Sequence, residues 1–565
     1  AGWVPGTLVP STPSNVISGN GDAGVGLLGT ASANAIQANY IGVSILGTAY
    51  DDAGNGLNLG NPIGVAIYSS ASNNIIGGAT AGSGNIITQS GANPNDQNPA
   101  NGAYVGVVVG SSTALGNAIQ GNLIGVDALG QDGSNLVGVR LENSRGPLVG
   151  DSTPAAAGST LFTTGGNLIS GNSLAGVEIT GLQSSGNLVR NNFIGTDVTG
   201  STRPGLASPP LPNPPRNPTQ ESGVLILQGT GNQVGATGVG NLISGNRIGV
   251  NIASQAVGDT GGNLIQGNTI GVDPAGTRAN PNFEFGVFIT ASANNVVDGN
   301  LISANGLAGV EIFGGSSQFN PGNARSTAAG LGTFVTNNRI GVDANGQVVF
   351  AASNGTRPID SLANHPTITL PDGIPVFYGF QDHGVVIIGA SNNTIGLPGQ
   401  GNLISGNIYT GVYISRRDNL NGIYALPVGN VVQSNSLTLD GIYGVLRYDA
   451  PNGNPVFEQS SANANSFTGT PIPIADFVTG LSQTAPPGQP IQSILLNGAG
   501  VSAGSNGAVG VLVRRPASSR MTSARARTAA ASNAGLGASN QPRIPRLFEP
   551  GSTARQVAVK VGTPR

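Results

Sequence analysis

The chain has 565 residues, of which only 9% are charged and 91 are glycine, whereas ordinary soluble proteins have about 25% charged residues and about 7% glycine. The apolar content of 38% excludes a typical disordered chain, and the glycines follow no collagen period. A net charge of −3 gives no reason to expect nucleic acid as a partner, and the absence of cysteine excludes disulfides. No stretch approaches the 18 or so continuous apolar residues of a membrane span.

The first segment, residues 1–14, is rich in proline and contains Trp3, the only tryptophan. We expect it to cap the first repeat or to dock on a neighbouring molecule. The chain begins at Ala1, and Met521 is its only methionine. A cleaved secretion signal would explain this, as would an incomplete chain. We expect an extracellular or cell-surface protein.

Between residues 15 and 450 two short motifs alternate. One is Asn-x-(Ile/Val), and the other is Gly-Val-x-(Ile/Leu/Val), as in "GVAI" at 64–67. One of each makes a unit, which occurs about twelve times. Two versions of the unit alternate: one carries "GNLISGN", as at 240–246, and the other "IGVD" or "IGTD", as at 270–273. The larger period of this internal repeat is therefore two units.

Each motif is too short for a helix. Aliphatic residues two apart, such as Val287 and Ile289, place both side chains on one face of a strand. Asn and Gly between strands provide corners, because both tolerate left-handed backbone. Three short strands and three corners per unit predict one coil of a parallel β-helix, with about twelve coils stacked around a continuous aliphatic core.

Asparagines at equivalent corners can hydrogen-bond from coil to coil, as Asn ladders do in cross-β structures. We therefore predict structural ladders that contain Asn122, Asn192, Asn268, Asn338, Asn172, Asn246 and Asn407.

These motifs resemble those of right-handed parallel β-helix repeat proteins, the superfold shared with pectate lyases. More narrowly, the pattern Gly-Asn-x-Ile-Gly-x-Asp-x-x-Gly resembles repeats of large secreted bacterial surface proteins. The resemblance covers residues 15–450. It implies an all-β fold, a right-handed parallel β-helix (solenoid) with loop insertions and an extended C-terminal region.

We expect the β-helix over residues 15–465, with insertions at 90–101, 200–222 and 346–383. Residues 466–510 are expected to cap the last coil, and residues 511–565 to form an Arg-rich extended tail. Within the tail, "RQVAVKVG" alternates like a strand, and an extended strand can add to the sheet edge of another subunit. The candidate assembly residues are therefore Trp3, Arg555, Val557, Val559 and Val561.

The resemblance to pectate lyases raises the question of catalytic residues. Lyases of this type combine acidic calcium ligands with a nearby basic residue, whereas the single lysine here, Lys560, lies in the tail. The acidic pair Asp51–Asp52 has no matching neighbours, and a paired-carboxylate mechanism needs two groups about 5–10 Å apart. We predict a solvated turn at this pair, no catalytic residue, no cofactor and no enzymatic activity.

Both histidines, His365 and His383, belong to the longest insertion. Asp382 precedes His383, as an acid–base pair would require, but we expect a surface histidine near the end of a loop.

The aspartates of the "IGVD" motif recur once in every two coils: Asp127, Asp197, Asp273 and Asp343. Coils stack at about 4.8 Å, so these carboxylates would lie about 10 Å apart, too far for one ion to bridge two of them. We expect each to cap an Asx-turn at its corner. Calcium bound by such an aspartate and corner carbonyls is the alternative.

Three functions remain. The first is a secreted structural protein that self-assembles head-to-tail into a fibre or surface layer, because a contact of that kind does not close. The second is a surface adhesin or glycan-binding spike with an extracellular polysaccharide as partner, and the third is a polysaccharide lyase or hydrolase. A cluster of acidic groups on one strand face would favour the enzyme. We expect the fibre.

Overall fold

A computed structural model describes the larger part of the repeat region. The described residues are 13–48, 59–88, 104–111, 113–131, 133, 135–154, 165–202, 220–253, 261–314, 332–348, 367–369, 375–377, 381–416, 426–438, 440, 443–448, 454, 456, 464–468 and 472–477. These residues contain strands and turns but no helix. None of them therefore forms a helix long and apolar enough to cross a membrane.

Three parallel sheets, which we name sheets 1, 2 and 3, contain almost all of the strands. Sheet 1 consists of β1 Asn15–Ile17, β4 Asn39–Ile41, β7 Ile86–Ile87, β10 Leu123–Ile124, β13 Leu168–Ile169, β16 Phe193–Ile194, β19 Leu242–Ile243, β22 Thr269–Ile270, β25 Leu301–Ile302, β28 Arg339–Ile340, β33 Leu403–Ser405, β36 Ser436–Thr438 and β38 Ser466–Thr468.

Sheet 2 contains the longest strands. It consists of β2 Ala23–Leu27, β5 Ile63–Tyr68, β8 Val105–Gly110, β11 Val137–Glu142, β14 Ala175–Thr180, β17 Ser222–Leu227, β20 Ile248–Ala253, β23 Phe285–Thr290, β26 Ala308–Phe313, β31 His383–Ile388, β34 Thr410–Ser415, β37 Tyr443–Tyr448 and β39 Ile472–Phe477.

Sheet 3 has two fewer strands. It consists of β3 Ala35–Ile36, β6 Ile75–Gly77, β9 Ala118–Gln120, β12 Leu148–Gly150, β15 Leu188–Arg190, β18 Gln233–Val234, β21 Leu264–Gln266, β24 Val296–Asp298, β27 Phe334–Thr336, β32 Thr394–Ile395 and β35 Val431–Val432. A separate antiparallel pair, β29 Thr367–Thr369 and β30 Pro375–Phe377, lies within the longest insertion.

Each complete coil adds one strand to each sheet, and each strand of the three sheets pairs in parallel with the equivalent strand of the next coil. Val287, for example, pairs with Val250 of the preceding coil and Val310 of the following one. The chain is therefore a right-handed parallel β-helix, as the motifs predict. Sheets 1 and 2 each contain thirteen strands, against the expectation of about twelve coils.

The core runs along the axis of the solenoid. Alternate residues of each strand point inward, so that Ile270, Val287, Ile289 and Val297 of one coil are all fully buried in a single apolar cluster. The two aliphatic positions of the Gly-Val-x-aliphatic motif supply this core in every complete coil, because successive side chains of a strand point to opposite faces.

Three amide ladders fix the corners. The first precedes sheet 1 and passes through Asn15, Asn39, Asn85, Asn122, Asn167, Asn192, Asn241, Asn268, Asn300, Asn338, Asn402, Asn435 and Asn465, with Nδ2–Oδ1 distances of 2.8–3.0 Å. From Asn85 onward each side-chain oxygen also accepts a backbone N–H, as Asn300 does from Asn268. Both kinds of repeat unit contribute to this ladder.

The second ladder lies between sheets 1 and 2 and tolerates other side chains. Its continuous part passes through Asn135, Asn172, Gln220, Asn246, Asn282, Asn305, Gln381, Asn407 and Asp440. The third ladder precedes sheet 3 and has separate parts, one of which is Asn187, Asn232, Asn263 and Asn295.

A column of stacked turns explains why the repeat has a period of two coils. The turns at 44–48, 127–131, 197–202, 273–278 and 343–347 form this turn column, and they occur only in the "IGVD" type of coil. Each turn lies over the outer face of sheet 1: a Cβ on Gly200 would lie 2.9 Å from Phe193 of its own coil and 2.7 Å from Leu242 of the next. One turn thus covers two coils, and the coil that follows needs no turn.

Successive turns also bond to one another. The backbone N–H of Ala128 donates to the carbonyl of Gly47 at 2.9 Å, and that of Ala344 donates to Gly276 at the same distance. The equivalent Pro274 has no N–H, and there the Asn280 side chain donates to the carbonyl of Gly200 instead, at 3.1 Å. Hydrogen bonds therefore join three of the four pairs of successive turns in the turn column.

Candidate active site on the outer face of sheet 2

The outer face of sheet 2 carries charged side chains among apolar ones. The residue between the two inward-facing aliphatics of the Gly-Val-x-aliphatic motif points away from the core. It is apolar in several coils, as at Val108 and Phe288, but it is Arg140, Glu178 or Glu311 in others, and all five of these residues are buried. Both faces of this parallel sheet are thus largely buried, as is usual for parallel sheets.

An ion pair joins neighbouring coils on this face. Arg140 of β11 and Glu178 of β14 stand opposite each other in register, and Arg140 Nε lies 2.5 Å from Glu178 Oε2. Burial alone would lower the pKa of Arg140, but Glu178 and then Glu142 more than compensate and raise it. Arg140 therefore stays cationic, since a buried charge is tolerated only when paired.

Glu142 lies two residues beyond Arg140, at the end of β11. It is only half-buried, and its pKa is raised: burial is the main cause, the negative charge of Glu178 adds to it, and Arg140 opposes it. Glu142 and Glu178 are thus two carboxyl groups in different surroundings, one at the edge of the solvent and one ion-paired.

Tyr68 of β5 completes the group, which we name the Glu142 cluster: Tyr68, Arg140, Glu142 and Glu178. Its ring lies over Gly110 of the next coil, where any Cβ would overlap the ring atom Cε1. Burial, followed by the charge of Glu142, raises the pKa of Tyr68 to about 12, against a smaller opposite effect of Arg140. The phenol is therefore neutral at ordinary pH.

Sequence reasoning missed all four residues of the Glu142 cluster. The available signal was a charged residue inside the Gly-Val-x-aliphatic motif, as in "GVRLE" at 138–142 and "GVEI" at 176–179. An acidic group on one strand face is the feature that favours the carbohydrate-active enzyme among the three expected functions.

A second charged group on this sheet is more deeply enclosed. Arg247 bonds to Glu221 of the preceding coil at 2.8 Å and to Glu284 of the following coil at 2.5 Å. Glu284 has no exposed surface. This group links three successive coils. Removing one partner would leave a buried charge uncompensated, so the group opposes a shift of one coil against the next.

The expectation of a surface histidine at His383 is wrong. His383 is the first residue of β31 and is only 6% exposed. Its Nδ1 lies 2.5 Å from Thr410 Oγ1, and its ring stacks on Tyr413 with 5.7 Å between centroids. Asp382 is also buried, with 1% exposed. The strand of sheet 2 begins at the histidine itself, so packing between coils encloses the ring. His365 lies outside the described residues.

The aspartates of the turn column bond to their own turns. Asp127 accepts the backbone N–H of Leu129 and Gln131, both at 2.9 Å. The same use of the carboxylate recurs at the other three positions, Asp197, Asp273 and Asp343. Among the described residues no group of three His, Asp or Glu side chains could hold a metal ion. Calcium binding at these turns stays a prediction.

The remaining expectations from the sequence fall largely outside the described residues. This holds for Asp51, Asp52, Trp3 and the tail residues Arg555, Val557, Val559 and Val561, and for most of the insertions at 90–101, 200–222 and 346–383.

No protein-family model matches the sequence, and no curated protein matches it. Several solved structures have a similar shape. A mutant of the periplasmic alginate epimerase AlgG is 11% identical, with 76% of this chain and 67% of that chain covered and a TM-score of 0.37. The A-module of the mannuronan C-5 epimerase AlgE6 from Azotobacter vinelandii is 12% identical, with 84% of each chain covered and a TM-score of 0.29.

An alginate lyase from Paenibacillus sp. str. FPU-7 is 11% identical, with 65% of this chain and 98% of that chain covered and a TM-score of 0.23. At such low identity and similarity the likeness concerns the fold alone. These proteins are enzymes of alginate, and none of the three is a fibre protein. The expectations of a structural fibre and of no enzymatic activity are wrong, and the alternative of an adhesin gains no support.

Proposed function

We propose that the chain is an enzyme that cleaves a polysaccharide, with Glu142 as the proton donor. The observation that carries this proposal is the Glu142 cluster, in which a half-buried carboxyl group lies beside an ion-paired one on the same strand face. A carboxyl group whose pKa is raised by burial is typical of a general acid, and the second carboxyl group beside it is available as the base. Glycoside hydrolysis in particular uses two carboxyl groups in these two states.

The backbone spacing of Glu142 and Glu178 is of the order that hydrolysis requires of two carboxyl groups. Glu178 is one strand across from Arg140, and Glu142 is two residues along from it, which places the two Cα atoms about 8 Å apart. Carboxyl groups separated by about 6.5–9.5 Å leave room for a water molecule between the acid and the base. In this proposal Glu142 donates its proton to the leaving sugar oxygen, and Glu178 accepts a proton from the attacking water.

A location outside the cytoplasm, in the periplasm or the extracellular space, is part of the proposal. Polysaccharides of cell surfaces and matrices are substrates found there, and the named alginate epimerase AlgG is periplasmic. Which polysaccharide is cleaved must be found by assay, and alginate is one member of the panel to be tested.

The decisive experiment compares Glu142→Gln with the matched control Asp22→Asn, an exposed carboxylate in the first coil. A panel of polysaccharides is incubated with each protein, and new reducing ends are counted. Ultraviolet absorbance of the products separates hydrolysis from elimination, which leaves an unsaturated sugar. We expect Glu142→Gln to lose about 100-fold or more in kcat, the usual contribution of a general acid, while Asp22→Asn keeps full activity.

The pH profile provides a further check on the same variant. Because Glu142 must be protonated to act, the activity of the unmodified protein should fall as the pH rises through the raised pKa of this group. Full activity of Glu142→Gln on a substrate that the unmodified protein cleaves would overturn the proposal.

A further inference from the structure

We propose that Tyr68 is a positioning residue that shields the carboxyl group of Glu142 from water across the gap left by Gly110. The effect of this shielding on activity rests on the proposed function, in which Glu142 is the proton donor. Tyr68, Gly110 and Glu142 occupy three successive coils, and the shielding is a property of the folded chain that can be measured without a substrate.

The register brings the three residues side by side. Tyr68 pairs with Gly110 in the neighbouring strand β8. Val109 of β8 pairs with Leu141 of β11, so that Glu142 follows at the position next to Gly110. A tyrosine ring that lies across Gly110 therefore extends from the second coil towards the carboxyl group in the fourth.

Gly110 is needed for space and not for its backbone conformation. Unlike the turn glycines, it has no left-handed φ, and a Cβ at this position would overlap the Tyr68 ring. Glycine within a strand weakens the strand and often marks the close approach of another group. Here the group that approaches is the ring of Tyr68.

The electrostatic surroundings of Glu142 agree with a shielding role. The titratable groups that face it among the described residues are Arg140 on its own strand, Glu178 on β14 and Tyr68, while β8 has the sequence "VGVVVG" and contributes none. Burial is the largest cause of the raised pKa of Glu142. Since Tyr68 is neutral at ordinary pH, its contribution is the exclusion of water and not a charge.

Three variants test this reasoning: Tyr68→Ala removes the ring, Tyr68→Phe keeps the ring without the hydroxyl, and Gly110→Ala displaces the ring. The control for a strand glycine is Gly26→Ala, because Gly26 also lies in sheet 2 and an added Cβ would make only ordinary contacts, with the Leu28 side chain at 3.9 Å. For each protein the pKa of Glu142 is read from NMR titration of its carboxyl carbon, and the pH profile of activity is recorded in parallel.

We expect Tyr68→Ala and Gly110→Ala to lower the pKa of Glu142 and to move the fall of activity to lower pH by about one pH unit, the size typical of changed desolvation. Tyr68→Phe and Gly26→Ala should leave both unchanged. A titration of Glu142 that is the same in Tyr68→Ala, or an equal shift in Tyr68→Phe, would overturn the inference. If the unmodified protein cleaves no polysaccharide, the proposed function fails, and the titration alone still decides the role of Tyr68.

Discussion

At the scale of single residues, the most unusual position of the second ladder is its last one, Asp440. Asp440 stands where the preceding coils have an amide, and its Oδ1 accepts both the backbone N–H and the side-chain Nδ2 of Asn407, at 3.2 and 2.8 Å. Its other oxygen, Oδ2, has no hydrogen-bond partner, and the residue is only 1% exposed. Burial therefore raises the pKa of Asp440 well above its usual value, although the bonds from Asn407 oppose this.

Asp440→Asn should accordingly stabilise the protein at neutral pH. A carboxyl group whose pKa is raised by folding stabilises the folded state fully only below its unfolded pKa, about 3.9, and loses that contribution as the pH rises through the folded pKa. The amide has no such dependence. We expect a gain on the order of 1–3 kcal/mol in the free energy of unfolding near pH 7, which shrinks towards zero near pH 3. Urea unfolding at several pH values measures it, with Asp22→Asn as the control, and a gain independent of pH would contradict this account.

Single residues also show what can and cannot be predicted from the sequence. The corner asparagines are recognisable because their motif recurs in every coil, and nearly every one has the same bonding partners. The Glu142 cluster is not recognisable in this way, since Tyr68 reaches Glu142 only through the register of coils whose lengths differ. The distance between successive asparagines of the first ladder is 45 residues from Asn122 to Asn167 but 25 from Asn167 to Asn192, and no local pattern in the sequence reports which residues become neighbours.

At the scale of structural elements, the turn column is the feature that the alternating motifs encode. Its glycines have two separate duties. They adopt a left-handed backbone conformation, with a φ of +69° at Gly276. They also leave room for the neighbouring coil and for the next turn of the column. A Cβ on Gly276 would lie 2.7 Å from Leu301 and 2.8 Å from Ala344 of the next turn. The alternation itself is evident in the sequence, but its cause, one turn that covers two coils, appears only when the outer face of sheet 1 is assembled.

Gly276→Ala and Gly238→Ala separate these two duties. Both glycines have a left-handed φ, of +69° and +76°, but a Cβ on Gly238 would meet nothing within 4 Å. Both substitutions should therefore cost about 1–2 kcal/mol for the backbone, and Gly276→Ala should cost more, since it also forces the turn away from its neighbours. Thermal unfolding followed by circular dichroism compares them. Equal losses in the two variants would mean that the turns do not depend on close packing.

At the scale of the whole molecule, stability should be nearly a sum over coils and their neighbouring contacts, as in other solenoids. The first ladder and the apolar core repeat with every coil, whereas the turn column repeats with every second coil. The smallest piece that can be removed without disturbing any of these elements is therefore two coils long. Deletion of a single coil that carries a turn is shorter, but it removes that turn and leaves part of the outer face of sheet 1 uncovered.

Two deletions test this difference. Removal of residues 268–337 joins Gly267 to Asn338, so that Asn241 stacks on Asn338 in the first ladder and the turn at 343–347 follows the turn at 197–202. Ala344 then lies where Pro274 was, and it can donate its N–H to the carbonyl of Gly200 as it does to Gly276 in the intact chain.

Removal of residues 268–299 joins Gly267 to Asn300 and keeps the first ladder. It deletes the turn at 273–278, however, and uncovers Leu301, over which Gly276 lies in the intact chain. We expect the two-coil deletion to melt close to the intact chain and the one-coil deletion to melt earlier, with faster amide exchange in β25, because an uncovered apolar face loses its burial energy. Circular dichroism and hydrogen exchange measure both. A one-coil deletion that is as stable as the two-coil deletion would show that the turn column does not set the period of the repeat.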